Sequence, residues 1–173
     1  EKEAFEAGKL IKARNIEFTS MFTSDLIRAQ ITGQMILAGI GQTHIEVVKN
    51  QALNERDYGD LSGLNKDDAR KKWGEEQVHI WRRSYDIPPP GGESLKNTAE
   101  RVLPYFNSLV LPMLIQGKNI LVAAHGNSLR SLVMQLDNLS KEEVIALEIP
   151  TGAPIIYTFH GSEEPINKEN LFE

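Results

Sequence analysis

The sequence contains no cysteine, no long apolar run and no excess of positive charge. Without cysteine, a disulfide framework, a thiolate nucleophile and cysteine-based zinc or iron–sulfur sites are excluded. Apolar runs such as Ile120–Ala124 are far shorter than the ~20 residues that span a bilayer. The net charge of −5 gives no support to binding of nucleic acid or of an anionic membrane.

The sequence also lacks the usual beginning of a domain. Glu1-Lys2-Glu3-Ala4-Phe5 resembles the middle of a helix, with neither an initiator Met nor a cap before it. We therefore expect the chain to start inside a domain, so a signal peptide further upstream would not be visible. The other values are typical of one globular domain, with 173 residues, 40% hydrophobic and 25% charged.

Helix and strand patterns alternate along the chain, which predicts a single α/β domain with a mostly parallel sheet flanked by helices. A strand pattern ends at Thr23, and Ser24 is a candidate N-cap for the next helix. The run Ile120–Ala124 predicts a buried parallel strand. We assign residues 1–160 to the domain and residues 161–173 to a polar C-terminal tail.

Two positions where a strand meets a helix are candidates for binding an anion. His125 directly follows the buried strand, at the edge of the sheet where open α/β folds bind ligands. The amides of Gly126 and Asn127 open the next helix and suit an anion. Arg28 lies in the first turn of the helix after Ser24, and guanidinium groups bind phosphate or carboxylate. From position alone, a helix-capping His125 and a solvated Arg28 remain open alternatives.

Two charged segments are further candidates. Glu55-Arg56-Asp57-Tyr58 places two acids, a base and a phenol in one loop, which offers a carboxyl group among cations for proton transfer. Arg82-Arg83 stands beside Trp81 and ahead of the rigid loop Pro88–Gly92. A solvated turn and a charged helix face are the alternatives that remain open for these two segments.

Taken together, these motifs resemble the cofactor-dependent phosphoglycerate mutases of the histidine phosphatase superfamily, from Glu3 to about Phe159. The fold implied is a mostly parallel sheet wrapped by helices. Better-known members have a longer insertion between the proline-rich loop and the segment that corresponds to Glu93-Ser94-Leu95, so this chain has a short form of that connection. The segments that carry the resemblance are Leu53–Gly59, Leu61–Lys66, Trp81–Arg83, Pro88–Pro90, Glu93–Leu95, Ala123–Arg130 and Ile149–Pro154.

The resemblance implies an isomerase of glycolysis and gluconeogenesis that interconverts 2- and 3-phosphoglycerate through a phosphohistidine primed by 2,3-bisphosphoglycerate. It implies that Glu55 is the general acid/base and that His125 stabilises the transferring phosphoryl group. The residues that it implies for binding the substrate are Arg28, Glu55, Arg56, Asp57, Tyr58, Lys66, Arg82, Arg83, Gly126 and Asn127.

The resemblance also implies a cytoplasmic enzyme with a small phosphorylated glycerate as its ligand. A homo-oligomer is expected, and a dimer is the form favoured. Neither nucleic acid nor a membrane is expected as a partner. No metal is expected, since His44, His79 and His160 have no partner at metal-ligand spacing.

One motif of the family is missing. Members begin with a strand that ends in Arg-His-Gly, whose histidine carries the phosphoryl group, whereas Ala124 precedes His125 here. We expect the missing strand and loop just ahead of Glu1. Two alternatives therefore stay open, namely a phosphomonoesterase of the histidine phosphatase type and, if the histidine is truly absent, a catalytically inactive member.

Overall fold

The computed structural model describes residues 2–171, and no helix in this range is long and apolar enough to cross a membrane. Two groups of residues form compact units. Residues 2–54, 104–125 and 148–171 make up the sheet unit, and residues 55–103 and 126–147 make up the helical unit. The helices are α1 (Lys2–Lys12), α2 (Ile27–Ile40), α3 (Lys66–Trp73), α4 (Glu75–Arg83), α5 (Leu95–Tyr105), α6 (Leu111–Ile115), α7 (Gly126–Leu136) and α8 (Lys141–Ala146). The strands are β1 (Ser20–Thr23), β2 (Glu46–Lys49), β3 (Ile120–Ala123), β4 (Ile155–Phe159) and β5 (Pro165–Asn170).

In the sheet unit, β1 is the central strand of a parallel sheet with the order β2-β1-β3. Every residue of β1 is buried, because strands pair with both of its edges and α2 packs on the sheet. The register places Thr23 opposite Lys49 and Ala123, so the three strands end level with one another. The predicted α/β class and parallel sheet are confirmed, and the carboxyl ends of the strands form one edge.

Helices α1 and α2 approach each other closely through two glycines. A Cβ atom on Gly8 would lie 2.9 Å from the Cα of Gly39, a separation that side chains do not tolerate. This contact lets the apolar faces of both helices reach the sheet. The core cluster that results contains Ile11, Met21, Leu37, Ile40, Leu121 and Ala123.

The predicted cap of α2 is wrong. The N-cap residue is Leu26, which makes no side-chain capping bond, and the helix begins at Ile27. Ser24 is fully buried, and its Oγ accepts a hydrogen bond from the Leu26 amide at 3.1 Å. Ser24 therefore lies ahead of the helix, where its hydroxyl has another partner described below.

The description of residues 161–173 as a polar tail missed a strand. β5 pairs with β4 in an antiparallel hairpin, with Tyr157 opposite Lys168. Alternation of apolar and polar residues is weak in β5, and Ile166 is 67% exposed, so periodicity gives little signal here. The domain limits themselves stay a prediction.

In the helical unit, α3 and α4 pack with Leu61 of the preceding loop into a small core of Leu61, Ala69, Val78 and Trp81. Asn65 caps α3, since its Oδ1 accepts a hydrogen bond from the Asp68 amide at 2.8 Å. The rings of Trp73 and Trp81 meet edge to face, with their centroids 5.4 Å apart. The end of α4, which carries Arg82 and Arg83, is fixed by this packing.

The loop that follows residue 54 packs backbone to backbone on the proline-rich loop. The Asp60 amide donates to the Pro90 carbonyl at 2.8 Å, and the Glu93 amide donates to the Asp57 carbonyl at 2.6 Å. Gly59 has a φ of 56°, and a Cβ there would lie 2.3 Å from the Pro90 oxygen. Only glycine allows this approach, so the proline-rich loop supports the chain around Glu55.

Candidate active site

In the sheet unit, His125 and Arg28 follow neighbouring parallel strands. His125 comes shortly after β3, and Arg28 is the second residue of α2 after β1. The hydroxyl of Thr23 donates to the Ala123 carbonyl at 2.6 Å, which ties the two strand ends together. His125 is buried and Arg28 is exposed. The predicted placement of both residues at the carboxyl ends of strands is confirmed, and their roles stay predictions.

The buried imidazole of His125 is held by Ser24. Its Nε2 lies 2.8 Å from Ser24 Oγ, the same hydroxyl that accepts from the Leu26 amide. A hydroxyl has one proton and two lone pairs, so Ser24 can serve both partners. A hydrogen bond at one ring nitrogen fixes the orientation of the imidazole.

In the helical unit, the carboxylate of Glu55 is held by two backbone amides. Its Oε1 accepts from the Arg56 amide at 2.9 Å and from the Asn127 amide, in the first turn of α7, at 3.0 Å. Its Oε2 makes no hydrogen bond within residues 2–171. One oxygen is therefore anchored, and the other is available to exchange a proton.

Arg56 is a firmly held cation of this unit. It is 4% exposed, its Nε donates to the Glu93 carbonyl at 2.7 Å, and its Nη2 donates to the Trp81 carbonyl at 2.6 Å. Burial lowers the pKa of its guanidinium, partly offset by the nearby Tyr58, Glu55 and Glu93. An arginine nevertheless keeps its charge at neutral pH, so Arg56 is a fixed positive charge.

Tyr58 lies between two guanidinium groups and an amide. The Cζ atoms of Arg56 and Arg82 lie 4.9 Å and 5.9 Å from the centroid of its ring, within the range of cation–π attraction. Its hydroxyl accepts from Nδ2 of Asn127 at 3.0 Å. The Nε of Arg82 is buried and has no hydrogen-bond partner within residues 2–171.

These residues surround a cavity of about 200 Å³ in the helical unit. Five of the side chains in its wall are cationic, and none of the lining residues that the structure describes is acidic. Within residues 2–171, no group of three or more histidine, aspartate or glutamate side chains is placed to hold a metal ion. The lining residues are Arg56, Tyr58, Lys66, Arg82, Arg83, Ser84, Leu95, Asn127, Arg130 and Ile145.

The cavity wall unites six of the predicted substrate-binding residues, Arg56, Tyr58, Lys66, Arg82, Arg83 and Asn127. Glu55 is joined to it through the Asn127 amide. A Cβ on Gly126 would lie 3.8 Å from Oε2 of Glu55, so the helix start is close to the carboxylate. Asp57 is not in the wall, and its Oδ1 closes the loop by accepting from the Gly59 amide at 2.8 Å.

Sequence reasoning missed Arg130 as a member of the site. Its Nε donates to the Leu147 carbonyl at 2.8 Å, and its Nη1 donates to Oδ1 of Asn127 at 3.1 Å. This second bond orients the side-chain amide of Asn127 so that its Nδ2 points to Tyr58. A usable signal existed, because residues three apart on a helix share one face.

Other residues that hold the site in place could not be predicted from local sequence spacing. Ser24 is far from His125 in sequence, and Glu93 is far from Arg56. Contacts between loops distant in sequence do not follow from local patterns, so only the structure reveals them.

Comparison with known proteins identifies the family to which the chain belongs. The sequence model of the histidine phosphatase superfamily (branch 1) matches residues 1–171, and the chain belongs to this superfamily. A relative in Parvibaculum lavamentivorans, named 2,3-bisphosphoglycerate-dependent phosphoglycerate mutase, is 64% identical over 172 residues, which are 99% of this chain and 82% of the relative. A protein of Rhodopseudomonas palustris with the same name is 58% identical over 171 residues, which are 99% of this chain and 83% of that protein.

Solved structures show the same fold. The native mycobacterial glucosyl-3-phosphoglycerate phosphatase has a TM-score of 0.76 at 22% identity, with 98% of this chain and 82% of that chain covered. A phosphoglycerate mutase of Bacillus anthracis has a TM-score of 0.63 at 22% identity, with 79% and 66% covered. With a family match that spans both units, these likenesses confirm the predicted single domain.

Proposed function

We propose that the chain acts as a 2,3-bisphosphoglycerate-dependent phosphoglycerate mutase, an isomerase that interconverts 2- and 3-phosphoglycerate. Relatives that are 64% and 58% identical carry this name. The observation that carries the proposal is a cavity with five cationic side chains whose Asn127 is hydrogen-bonded to the Glu55 carboxylate. It suits a small ligand that bears a phosphate and a carboxylate and exchanges a proton.

The cations of the cavity differ in how they would hold the substrate. Arg56 is buried and bonded to two carbonyl groups, so its charge is in place before a ligand arrives. Lys66 and Arg83 are exposed, so they can move onto the ligand. Forked guanidinium groups match the paired oxygens of phosphate and carboxylate. We assign this set to binding of the two charged ends of phosphoglycerate.

Glu55 is the proposed general acid/base. Its Oε1 is fixed by two amides, so the orientation of the carboxyl group is set while Oε2 exchanges the proton. The carboxyl group donates a proton to the oxygen that loses the phosphoryl group and takes one from the hydroxyl that gains it. A positioned carboxyl group of this kind contributes about 100-fold or more to the rate.

His125 and Arg28 are proposed to neutralise the oxygens of the transferring phosphoryl group. Phosphoryl transfer depends mainly on positioning and on stabilising charge at those oxygens. Both residues follow parallel strands at the carboxyl edge of the sheet, where α/β folds bind ligands. The hydrogen bond from Ser24 would keep the His125 ring in one orientation.

The cofactor 2,3-bisphosphoglycerate fits this donor set. The buried Nε of Arg82 lacks a partner within residues 2–171, and an unmet donor of this kind is costly until an acceptor such as a phosphate oxygen reaches it. When bound, 2,3-bisphosphoglycerate supplies the phosphoryl group that primes the enzyme. In the family, the histidine that receives it stands in Arg-His-Gly, which the 173 residues do not contain, and none of the four histidines here is assigned that role.

The test is a pair of assays on the full-length protein. With 3-phosphoglycerate and a catalytic amount of 2,3-bisphosphoglycerate, we expect 2-phosphoglycerate to form, measured by coupling to enolase. Release of inorganic phosphate is measured in parallel and should be much slower. Fast phosphate release without 2-phosphoglycerate would identify a phosphatase, and no turnover in either assay would indicate an inactive member.

The cellular setting follows from this function. We propose a cytoplasmic enzyme of glycolysis and gluconeogenesis that acts on free phosphoglycerate and forms a homodimer. Light scattering coupled to gel filtration measures the oligomeric state, and a monomeric mass for the active protein would contradict the dimer.

A further inference from the structure

Glu93 and Arg101 form a forked ion pair within the helical unit. Nε of Arg101 donates to Oε2 of Glu93 at 2.8 Å, and Nη2 donates to Oε1 at 2.8 Å. The side chains are only 23% and 27% exposed, respectively. Two parallel bonds between planar groups fix geometry better than a single contact. Neither residue lies in the cavity wall.

Further bonds of this pair go to the loop that carries Glu55. Nη2 of Arg101 also donates to the Glu55 carbonyl at 3.1 Å. Oε1 of Glu93 accepts from the Asp57 amide at 3.0 Å, and the Glu93 carbonyl accepts from Nε of Arg56 at 2.7 Å. Three successive residues of the loop are therefore each tied to the pair.

We propose that Glu93 and Arg101 are positioning residues, which place the Glu55 carboxylate and the Arg56 guanidinium for the reaction. This inference rests on the proposed function of the site. The pair acts through the loop and touches no reacting atom. A half-buried ion pair is weak evidence for stability as such, whereas its bonds to residues 55–57 give it a geometric role.

The consequence of loosening the loop follows from the position of Glu55. Its Oε1 bonds to the Arg56 amide in the same loop and to the Asn127 amide in α7. If the loop moves, the carboxylate loses register with α7 and with the cavity. A misplacement of about 1 Å can cost about 100-fold in rate, so the pair should act mainly on kcat.

The experiment compares the full-length wild-type protein with Glu93→Gln, Arg101→Lys and the double variant. Glutamine offers one acceptor oxygen where glutamate offers two, and lysine cannot form the forked pair. We expect each single variant to lower kcat by about 10- to 100-fold, with a smaller change in KM. The double variant should cost about as much as one single variant, because both changes release the same loop.

Asp67→Asn is the matched control. Asp67 forms an exposed ion pair with Arg70 at 3.5 Å in the same unit, and it lines no part of the cavity. This variant also removes a carboxylate paired with an arginine, but kcat should stay within about twofold of wild type. Melting curves give the temperature below which all variants are folded, and the assays are run below that temperature.

A second readout does not depend on catalysis. Hydrogen exchange at the Asp57 amide, which donates to Glu93, should be faster in Glu93→Gln than in Asp67→Asn. Glu93→Asp serves as the milder variant if Glu93→Gln does not fold. Unchanged exchange, or kcat within about threefold of wild type with only a lower melting temperature, would overturn the positioning role. A wild-type protein without mutase activity would instead overturn the proposed function.

Discussion

At the scale of single residues, Asn127 joins the parts of the proposed site that lie in the helical unit. Its amide holds the Glu55 carboxylate, its Nδ2 donates to Tyr58, and its Oδ1 accepts from Arg130. The backbone amide and the side chain of Asn127 thus link the proposed acid/base Glu55 with the cationic wall of the cavity.

Glu55→Gln should lower kcat by about 100-fold or more. Glutamine keeps the size of the side chain and an acceptor for the two amides, but it cannot transfer the proton. Binding should survive, so the dissociation constant of 3-phosphoglycerate, measured calorimetrically, should change only a few-fold. Turnover near the wild-type rate would refute the role of Glu55.

Arg130→Gln should raise KM for phosphoglycerate by about 10-fold, with a smaller effect on kcat. The change removes a positive charge from the cavity and releases Oδ1 of Asn127. Steady-state kinetics measure the effect. Lys71→Gln is the control, since Lys71 is exposed in the same unit and outside the cavity wall. Equal values of KM for both variants would contradict the binding role of Arg130.

At the scale of elements, local sequence predicted the strand–helix turns well and the contacts between loops poorly. His125 and Asn127 could be placed because a buried apolar run leads straight into a helix. Ser24 was wrongly assigned as a cap, because its partner His125 follows a strand and lies 101 residues further along the chain. The bonds of Glu93 to the loop at Glu55 were not predicted for the same reason, since their partners are distant in sequence.

The ion pair between Glu93 and Arg101 of α5 makes the stability of the fold depend on pH. Burial raises the pKa of Glu93, but the bonds from Arg101 and the Asp57 amide and the nearby positive charges outweigh it, so its pKa is lowered. A lowered native pKa stabilises the fold above the unfolded-state pKa, and this contribution is lost as pH falls through the native pKa.

Glu93→Gln should therefore lower the urea midpoint of unfolding more at about pH 7 than at about pH 4. Urea titrations of the wild-type protein and the variant at both pH values measure the difference. Asp67→Asn, which alters an exposed pair, should show a small difference at both. A loss for Glu93→Gln that is equal at the two pH values would contradict the assignment.

At the scale of the whole molecule, charge is unevenly distributed. The chain has a net charge of −5, yet the cavity wall has five cationic side chains. Lys66, Arg82 and Arg83 also line a neighbouring cavity of about 130 Å³ with Arg70 and His79. Overall charge therefore says little about the ligand, which meets a local positive field.

Salt should weaken substrate binding through this field. Raising the ionic strength from about 0.05 M to about 0.3 M shortens the screening length, so KM for phosphoglycerate should rise several-fold while kcat changes less. Steady-state assays in sodium chloride measure this, with sucrose at matched osmolality as the control. A constant KM would indicate that uncharged contacts dominate binding.

The central strand β1 also sets the order in which the protein can be assembled during synthesis. β1 pairs with β2, which follows it closely in sequence, and with β3, which begins at Ile120. Until the ribosome has released that later segment, β1 has one open edge and an apolar surface that the finished fold buries completely. Pairing across so long a separation is slow to form, and unpaired edges promote aggregation. The nascent chain therefore passes through a stage in which the open edge of β1 is exposed to aggregation.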